Sequence, residues 1–349
     1  GLRAAQNPEL YGKIKKYIAN QLRNTDRFDR MVGVGKSVVS FKYLGLNPRA
    51  ALVNTSAMVT TAPPAIHEYA LGGKGSFRSI MAALTKAGKD YVGVMRGHKL
   101  QDADEQAFMD LVYDQKYARP QYMYDALGAA QDTVGGTWSN IMRFAMKPFG
   151  LTEQWNRGAT MLAAYRLARQ AGQSHKEAME SGKTASDKAH GVYGRETLPI
   201  WAQGTGPVAS IAQMGYTYQK FAHNYVQMLY DLGFRKRNIR ALAFAIASPA
   251  IVGGAKSSLM ASSALLLAKG IMRAIDDDRD PEKLFYDTIR SEFGEFTEKG
   301  VRYGAFGVFP GVDLSGSLSV GMEVPKSLID LTGPFGGVYQ DLGDAAHYM

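Results

Sequence analysis

Cysteine is absent from the 349-residue chain, and no apolar run reaches the length of a membrane-spanning helix. Without cysteine there is no disulfide framework, no thiolate metal site and no cysteine nucleophile. The mean hydropathy of −0.21 excludes a polytopic membrane protein. The 15 phenylalanines and 19 tyrosines are too many for a low-complexity disordered chain, so the sequence predicts a folded protein with a packed core.

Catalytic signatures are also lacking. No serine lies in a Gly-x-Ser-x-Gly turn, and no two histidines have the i, i+4 spacing of a helical zinc site. The six histidines are scattered along the chain: His67, His98, His175, His190, His223 and His347. The sequence therefore predicts a protein that is not an enzyme, with no cofactor and no metal ion. A cell-wall-degrading enzyme domain is the alternative, because two catalytic carboxylates can lie far apart in a chain.

Two partial motifs resemble ligand-binding loops, but each lacks a residue that the full motif requires. Gly33 to Ser37 contains the Gly-Lys-Ser of a phosphate-binding loop, but Arg30 occupies the place of the first glycine. We predict a loop between helices there. Asp276, Asp278 and Asp280 alternate like calcium ligands, but Pro281 stands where the loop needs glycine. We predict that this acidic run caps the helix that Pro281 opens.

The charge balance is basic. The chain has 41 lysines and arginines against 32 acidic residues, a net charge of +9, which favours nucleic acid, anionic lipid or an acidic partner. One local cluster is dense: Arg235, Lys236, Arg237 and Arg240. These four side chains are our candidates for contact with an anionic surface.

Helical patterns dominate the chain, and we predict an all-α, elongated multi-helix assembly with an apolar helical hairpin and a Gly/Pro-rich C-terminal tail. We divide it into an N-terminal helical segment (1–70), a central helical domain (71–200), a long amphipathic helix plus hairpin (201–300) and a Gly-rich tail with short helices (301–349). Gly1 without an initiator methionine suggests a piece of a longer polypeptide.

Local signals predict several helix ends. Asn47 and Pro48 are typical of an N-cap and first turn, for a short helix through Val53. Pro63-Pro64 ends that region, and a glycine-rich loop follows at 71–75. We predict helices at about 76–87, 101–117 and 121–146.

The clearest helical signals lie in the middle of the chain. Thr152 is predicted to cap a helix that stops at Gly172. Ser174 and Glu177 form a capping box for the next helix, so the two helices should pair as an antiparallel hairpin. A Pro/Gly-rich linker at 199–207 and a long amphipathic helix with a methionine and aromatic stripe follow. The stripe comprises Ile211, Met214, Tyr218, Phe221, Tyr225, Met228 and Leu229.

Residues 241–275 are the most informative segment. It is rich in small and apolar residues, with the four cations before it and a run of aspartates after it. We predict that Pro249 and Gly253-Gly254 divide it into two arms of about 12–15 residues, with Lys256 at the tip; each arm is shorter than the ~20 residues of a full span. Either both arms are buried helices of a core, or the pair is buried in one state and enters a bilayer in another. In the second case Pro249, Gly253, Gly254 and Lys256 are our candidates for contact with the membrane.

Four stretches carry a family resemblance. They are Leu44–Asn54 followed by Pro63-Pro64, Trp155–Ala178, Tyr218–Asn224, and Gly311–Ser319 followed by Leu331–Phe335. In this order they resemble the C-terminal part of the very long phage proteins called large polyvalent proteins, which are similar to internal virion, or ejection, proteins. No catalytic residue is among them.

The resemblance implies a structural role. Such proteins are packaged in the phage head near the portal, leave with the DNA and form a conduit in the host envelope. The expected partners are other copies of the chain in a ring, other virion core proteins and the portal, packaged DNA without sequence preference, and host membrane lipids. A DNA-packaging scaffold without a membrane stage is a further alternative. DNA binding of this kind would be sensitive to salt.

Overall fold

The computed structural model describes residues 27–120, 136–192, 223–255 and 294–307, together with 280, 282–283, 286–287 and 290–291. These parts contain ten α-helices and no β-strand, which confirms the all-α prediction for them. The helices are α1 (Arg27–Leu44), α2 (Pro48–Thr55), α3 (Ala57–Thr60), α4 (Ala62–Tyr69), α5 (Phe77–Met95), α6 (Ala103–Asp114), α7 (Gly136–Gln170), α8 (His175–His190), α9 (Ile239–Gly253) and α10 (Glu295–Gly307). Residues 223–230 are also helical and run into a π-helical turn, Asp231–Arg235.

The core is built on the hairpin of α7 and α8, against which α4, α5 and α6 pack. The fully buried Leu162 and Tyr165 lie in the same cluster as Ile66 of α4, Ile80 of α5 and Phe108 of α6. Alanines line much of the contact between α7 and α8, and this lets the two helices approach closely. The close contact leaves little room for larger side chains.

The ends of this hairpin follow the sequence signals. Gly172 has a φ of +90°, and its amide hydrogen bonds to the Arg169 carbonyl, so the chain leaves α7 at the predicted residue. The Ser174 hydroxyl accepts from the Glu177 amide at 3.3 Å, and the Glu177 carboxylate accepts from the Ser174 amide at 2.9 Å. Both halves of the predicted capping box are therefore present. Asn47 likewise caps α2, with Pro48 in its first turn.

Several predicted helix boundaries are wrong, including the helix end expected at 146, which lies inside α7. Thr152 does not cap a helix, because α7 already begins at Gly136 and passes through Pro148. The Thr152 hydroxyl instead donates to the Phe149 carbonyl at 2.8 Å and accepts from Asn54 of α2 at 3.2 Å. Pro63 and Pro64 do not end a region; they lie in the first turn of α4, where backbone amides have no helical acceptor. Gly33 to Ser37 lies inside α1 and is not a loop between helices.

Some of the other predicted elements are confirmed, and the rest lie outside the described residues. Gly72, Gly73 and Gly75 have positive φ values, as expected for the loop at 71–75. The helices expected at 76–87 and 101–117 are α5 and α6, and α5 runs further than predicted. Asp280 accepts from the Glu282 amide at 2.9 Å, as expected of a cap. The linker at 199–207, the first part of the amphipathic helix, the second hairpin arm, Lys256, Asp276–Asp278 and the tail beyond 307 lie outside the described residues.

Candidate site for an anionic surface

Helix α9 is the first arm of the predicted hairpin, and Pro249 does not divide it. The helix runs through Pro249 to Gly253, and the chain turns at Gly254, where φ is +75°. A proline inside a helix leaves the carbonyl four residues earlier without its backbone donor. The hydroxyl of Tyr225 supplies a donor to that carbonyl, at Ala245, with a distance of 2.6 Å. The helix is thus continuous where the sequence suggested a break.

One face of α9 is docked on the helical body. Ala241 and Ala245 are buried with Tyr225, Met228 and Leu232 of the preceding segment. Further along, the Ser248 hydroxyl donates to the Thr60 carbonyl of α3 at 3.2 Å. The opposite face consists of exposed apolar residues: Ile239, Ala243, Ala247 and Ile251. Helix α9 therefore exposes an uncharged apolar stripe beyond its first turn.

The predicted hairpin tip is buried where the structure describes it. Pro249, Gly253 and Gly254 are all buried, and α10 packs against α9. A side chain on Gly254 would collide with the backbone of Arg302 and Gly304 in α10. Only glycine therefore fits where the end of α9 contacts α10. These three candidate residues are consequently not at the surface in this conformation.

The four candidate cations do lie together at the surface, between the π turn and the first turn of α9. We call Arg235, Lys236, Arg237 and Arg240 the basic corner; all four are exposed. Arg235 pairs with Asp231 at 3.1 Å, and Lys236 pairs with Glu68 at 3.7 Å. No described residue forms an ion pair with Arg237 or Arg240.

Three apolar side chains accompany the basic corner and were not predicted. Phe234 is 75% exposed, Ile239 64% and Tyr230 54%. The rings of Tyr230 and Phe234 stack with centroids 5.3 Å apart. We call these three residues the apolar trio. A sequence signal existed, because Tyr230 and Phe234 are spaced i, i+4 and lie off the stripe that ends at Leu229.

Asp231 fixes the π turn that carries the corner. It is buried, and it bonds to Lys188 of α8 at 3.2 Å as well as to Arg235. Although burial opposes the charge, the hydrogen bonds and charges of Lys188 and Arg235 hold the pKa of Asp231 below its usual range. Lys188 and Lys236 also lie 5.5 and 5.6 Å from the ring centroid of Tyr69. These contacts hold the π turn, and with it Arg235 and Lys236, against α4 and α8.

The described residues contain no group of three or more acidic or histidine side chains that could hold a metal ion. Within the same residues, no helix is both long and apolar enough to cross a membrane. No family model, no curated protein and no solved structure matches the chain.

Proposed function

We propose that the protein is a structural internal virion protein of a phage, carried in the capsid and released with the DNA, and that its basic corner docks on the anionic membrane of the host. The observation that carries the membrane contact is the apolar trio beside four exposed cations. The family resemblance supports the virion setting. In this reading the protein acts by assembly, as a ring of copies, and not by catalysis.

The chemistry of the corner favours a bilayer surface. Each lysine or arginine near an anionic leaflet contributes about 1 kcal/mol, and this attraction weakens with salt. Tyrosine and phenylalanine are suited to the headgroup region, where a ring can leave water without losing polar contacts. Since Ile239 has no ring to stack on bases, the trio fits acyl chains better than nucleic acid.

The length of α9 suggests how the contact continues. Its 15 residues span about 22 Å, which is shorter than the ~30 Å hydrocarbon core. A helix of this length with an apolar stripe and cations at one end can lie in the interface plane. We propose that α9 inserts in this way after the corner has docked.

Vesicle flotation with the full chain tests the docking. We expect binding to vesicles of 30% phosphatidylglycerol in phosphatidylcholine, little binding to pure phosphatidylcholine, and loss of binding as salt rises. The double variant Phe234→Ala/Ile239→Ala should weaken binding about tenfold, which corresponds to about 1.4 kcal/mol. Arg237→Ala/Arg240→Ala should weaken it as well.

Matched controls lie on the helical body. Phe144→Ala removes an equally exposed ring from α7, and Lys86→Ala/Lys89→Ala removes two exposed cations from α5. Neither should change vesicle binding by more than about twofold. Binding that is equally sensitive to control and corner variants would contradict the site. Salt-sensitive DNA binding without vesicle binding would favour the DNA-packaging scaffold instead.

The virion setting needs its own experiment. The chain should copurify with intact particles and appear in the membrane fraction of cells after infection. Clearing of peptidoglycan by the purified chain in a zymogram would overturn the structural role and favour the cell-wall-degrading alternative.

A further inference from the structure

Every polar atom of the Asn238 side chain amide has a partner. Its oxygen accepts from the Ala241 amide at 3.1 Å, which makes Asn238 the N-cap of α9. Its nitrogen lies 2.8 Å from Oε2 of Glu68 and 2.9 Å from Nδ1 of His67. The two amide hydrogens therefore point to two side chains of α4, and the capping oxygen points to α9.

This arrangement fixes the protonation state of His67. The carboxylate of Glu68 can only accept, and the Ala241 amide can only donate, so the Asn238 amide cannot be turned over. Its nitrogen then donates to Nδ1 of His67, and Nδ1 must be an acceptor. His67 is consequently neutral, with its proton on Nε2.

The same imidazole is part of a stack that holds α9. His67 is fully buried and stacks on Phe77 of α5 with centroids 4.8 Å apart. Phe77 stacks in turn on Phe244 of α9 at 4.2 Å. We call His67, Phe77, Asn238 and Phe244 the latch, because they join α4 and α5 to the first half of α9.

The charges around the latch are mixed. On α4, Glu68 is next to His67 and pairs with Lys236. Arg240 of α9 also acts on His67. From α5, His67 is contacted by the neutral ring of Phe77. Burial, and then Arg240, lower the pKa of His67, while Glu68 and the backbone of Gly75 raise it. The balance favours the neutral ring.

We propose that protonation of His67 opens the latch and releases the first half of α9, which carries Ile239 and Arg240, from the helical body. A second proton would place an Nδ1–H against the side-chain nitrogen of Asn238, which donates and cannot accept. The Asn238 side chain would then have to abandon either Glu68 or the cap of α9. That the freed helix enters a bilayer rests on the proposed function; the opening itself does not.

The direction of the pH effect follows from linkage. The open state binds more protons than the closed one, so the closed state is fully favoured above the ordinary imidazole pKa of about 6.5. As the pH falls from this value towards the lowered pKa of His67 in the closed state, the free energy that favours the closed state decreases. Acid therefore opens the latch.

Distance measurement between two spin labels tests the opening in the absence of lipid. Because the chain has no cysteine, Lys86→Cys on α5 and Ala243→Cys in the first half of α9 can be labelled in the full chain without background. Both positions are exposed. We expect one short distance at pH 7.5 and a longer, broader population at pH 5.0, with unchanged helix content by circular dichroism.

Two variants separate the latch from general acid effects. His67→Phe keeps a ring for the stack but cannot titrate, so its distance should not change between pH 7.5 and 5.0. Asn238→Asp offers the imidazolium a carboxylate acceptor, so its opening should move to lower pH. A wild type that stays closed at pH 5.0, or a His67→Phe variant that opens with the wild-type midpoint, would overturn the proposal.

Flotation at pH 7.5 and 5.0 then separates this proposal from the proposed function. Acid opening without binding to anionic vesicles at either pH would retain the latch and reject the membrane role. Vesicle binding by a chain whose label distance does not respond to acid would retain the membrane role and reject the latch.

Discussion

The hydroxyl of Tyr225 donates to the carbonyl oxygen of Ala245, the acceptor that Pro249 leaves without a backbone donor. Both residues are buried, so water cannot take the place of the missing amide. A second hydroxyl, that of Ser248, is 3.5 Å from the same oxygen, too long for a good hydrogen bond. A side chain outside α9 thus allows α9 to contain a proline, and it does so only while the helix is docked.

Tyr225→Phe should therefore destabilise the protein by about 1–3 kcal/mol, because it leaves a buried carbonyl without a donor. Pro249→Ala restores the backbone amide, so the double variant Tyr225→Phe/Pro249→Ala should recover most of the loss. Urea unfolding of the wild type, both single variants and the double variant completes the cycle.

Tyr230→Phe is the matched control for this cycle, since its ring is half exposed and the phenol is not needed by α9. It should leave the free energy of unfolding unchanged within about 0.5 kcal/mol. Simple additivity of the two single changes would show that the Tyr225 hydroxyl does not compensate for Pro249.

Arg157 ties the far end of α8 to α7. Its side chain is fully buried; Nη2 donates to the Gly191 carbonyl at 2.6 Å, and Nε lies 3.4 Å from the Glu153 carboxylate. Arg157→Ala removes the cation beside a buried carboxylate and should cost about 3–5 kcal/mol in chemical unfolding. Arg143→Ala, an exposed change on the same helix, should alter stability by less than about 0.5 kcal/mol. Equal losses in the two variants would contradict the role of Arg157.

The sequence predicts helix ends where the signal is local. The caps at Asn47 and Ser174 and the stop at Gly172 depend on residues within one turn, and all three are confirmed. Thr152 and Pro249 mislead because each has a partner on another element: Asn54 for Thr152, and Tyr225 for the carbonyl that Pro249 leaves. Those partners depend on packing and cannot be read from neighbouring residues.

In the candidate site, too, the sequence predicted the residues that share a local pattern and missed those that depend on packing. The cations were found because all four lie within six consecutive positions, 235–240. Phe234 and Tyr230 were missed because their exposure depends on which side of the 223–235 segment docks. Asn238 and His67 are 171 residues apart, so no local pattern could join them.

Close packing of α7 on α8 makes Gly182 sensitive to added volume. A Cβ there would lie 2.9 Å from the Met161 carbonyl oxygen and 3.1 Å from the Phe108 ring. Gly182→Ala should destabilise the protein by about 1–3 kcal/mol, since the backbone of α7 cannot move aside without repacking. Gly300→Ala in α10 meets no atom within 4 Å and should stabilise by up to about 1 kcal/mol through helix propensity. Thermal unfolding of both variants checks the opposite signs; the idea fails if they shift Tm in the same direction.

The capping box at the start of α8 should give a measurable pH dependence. Hydrogen bonds from the Ser174 hydroxyl, at 2.7 Å, and from the Ser174 amide lower the pKa of Glu177. Since a lowered carboxyl pKa stabilises the fold above the ordinary value, this contribution is lost as the pH falls through the lowered pKa. Ser174→Ala removes the hydroxyl, so the pKa of Glu177 should rise towards its usual value in a carboxyl NMR titration. The variant should also lose about 1 kcal/mol, as is typical for an N-cap.

Glu177→Gln separates the two effects in that experiment. Glutamine can still reach the Ser174 amide but does not titrate, so the cap remains while the pH dependence from this residue disappears. A Glu177 pKa that is the same in Ser174→Ala as in the wild type would mean that the hydroxyl does not hold the carboxylate. In that case the backbone amide alone would account for the shift, and the serine would act on α8 only through its own acceptor oxygen.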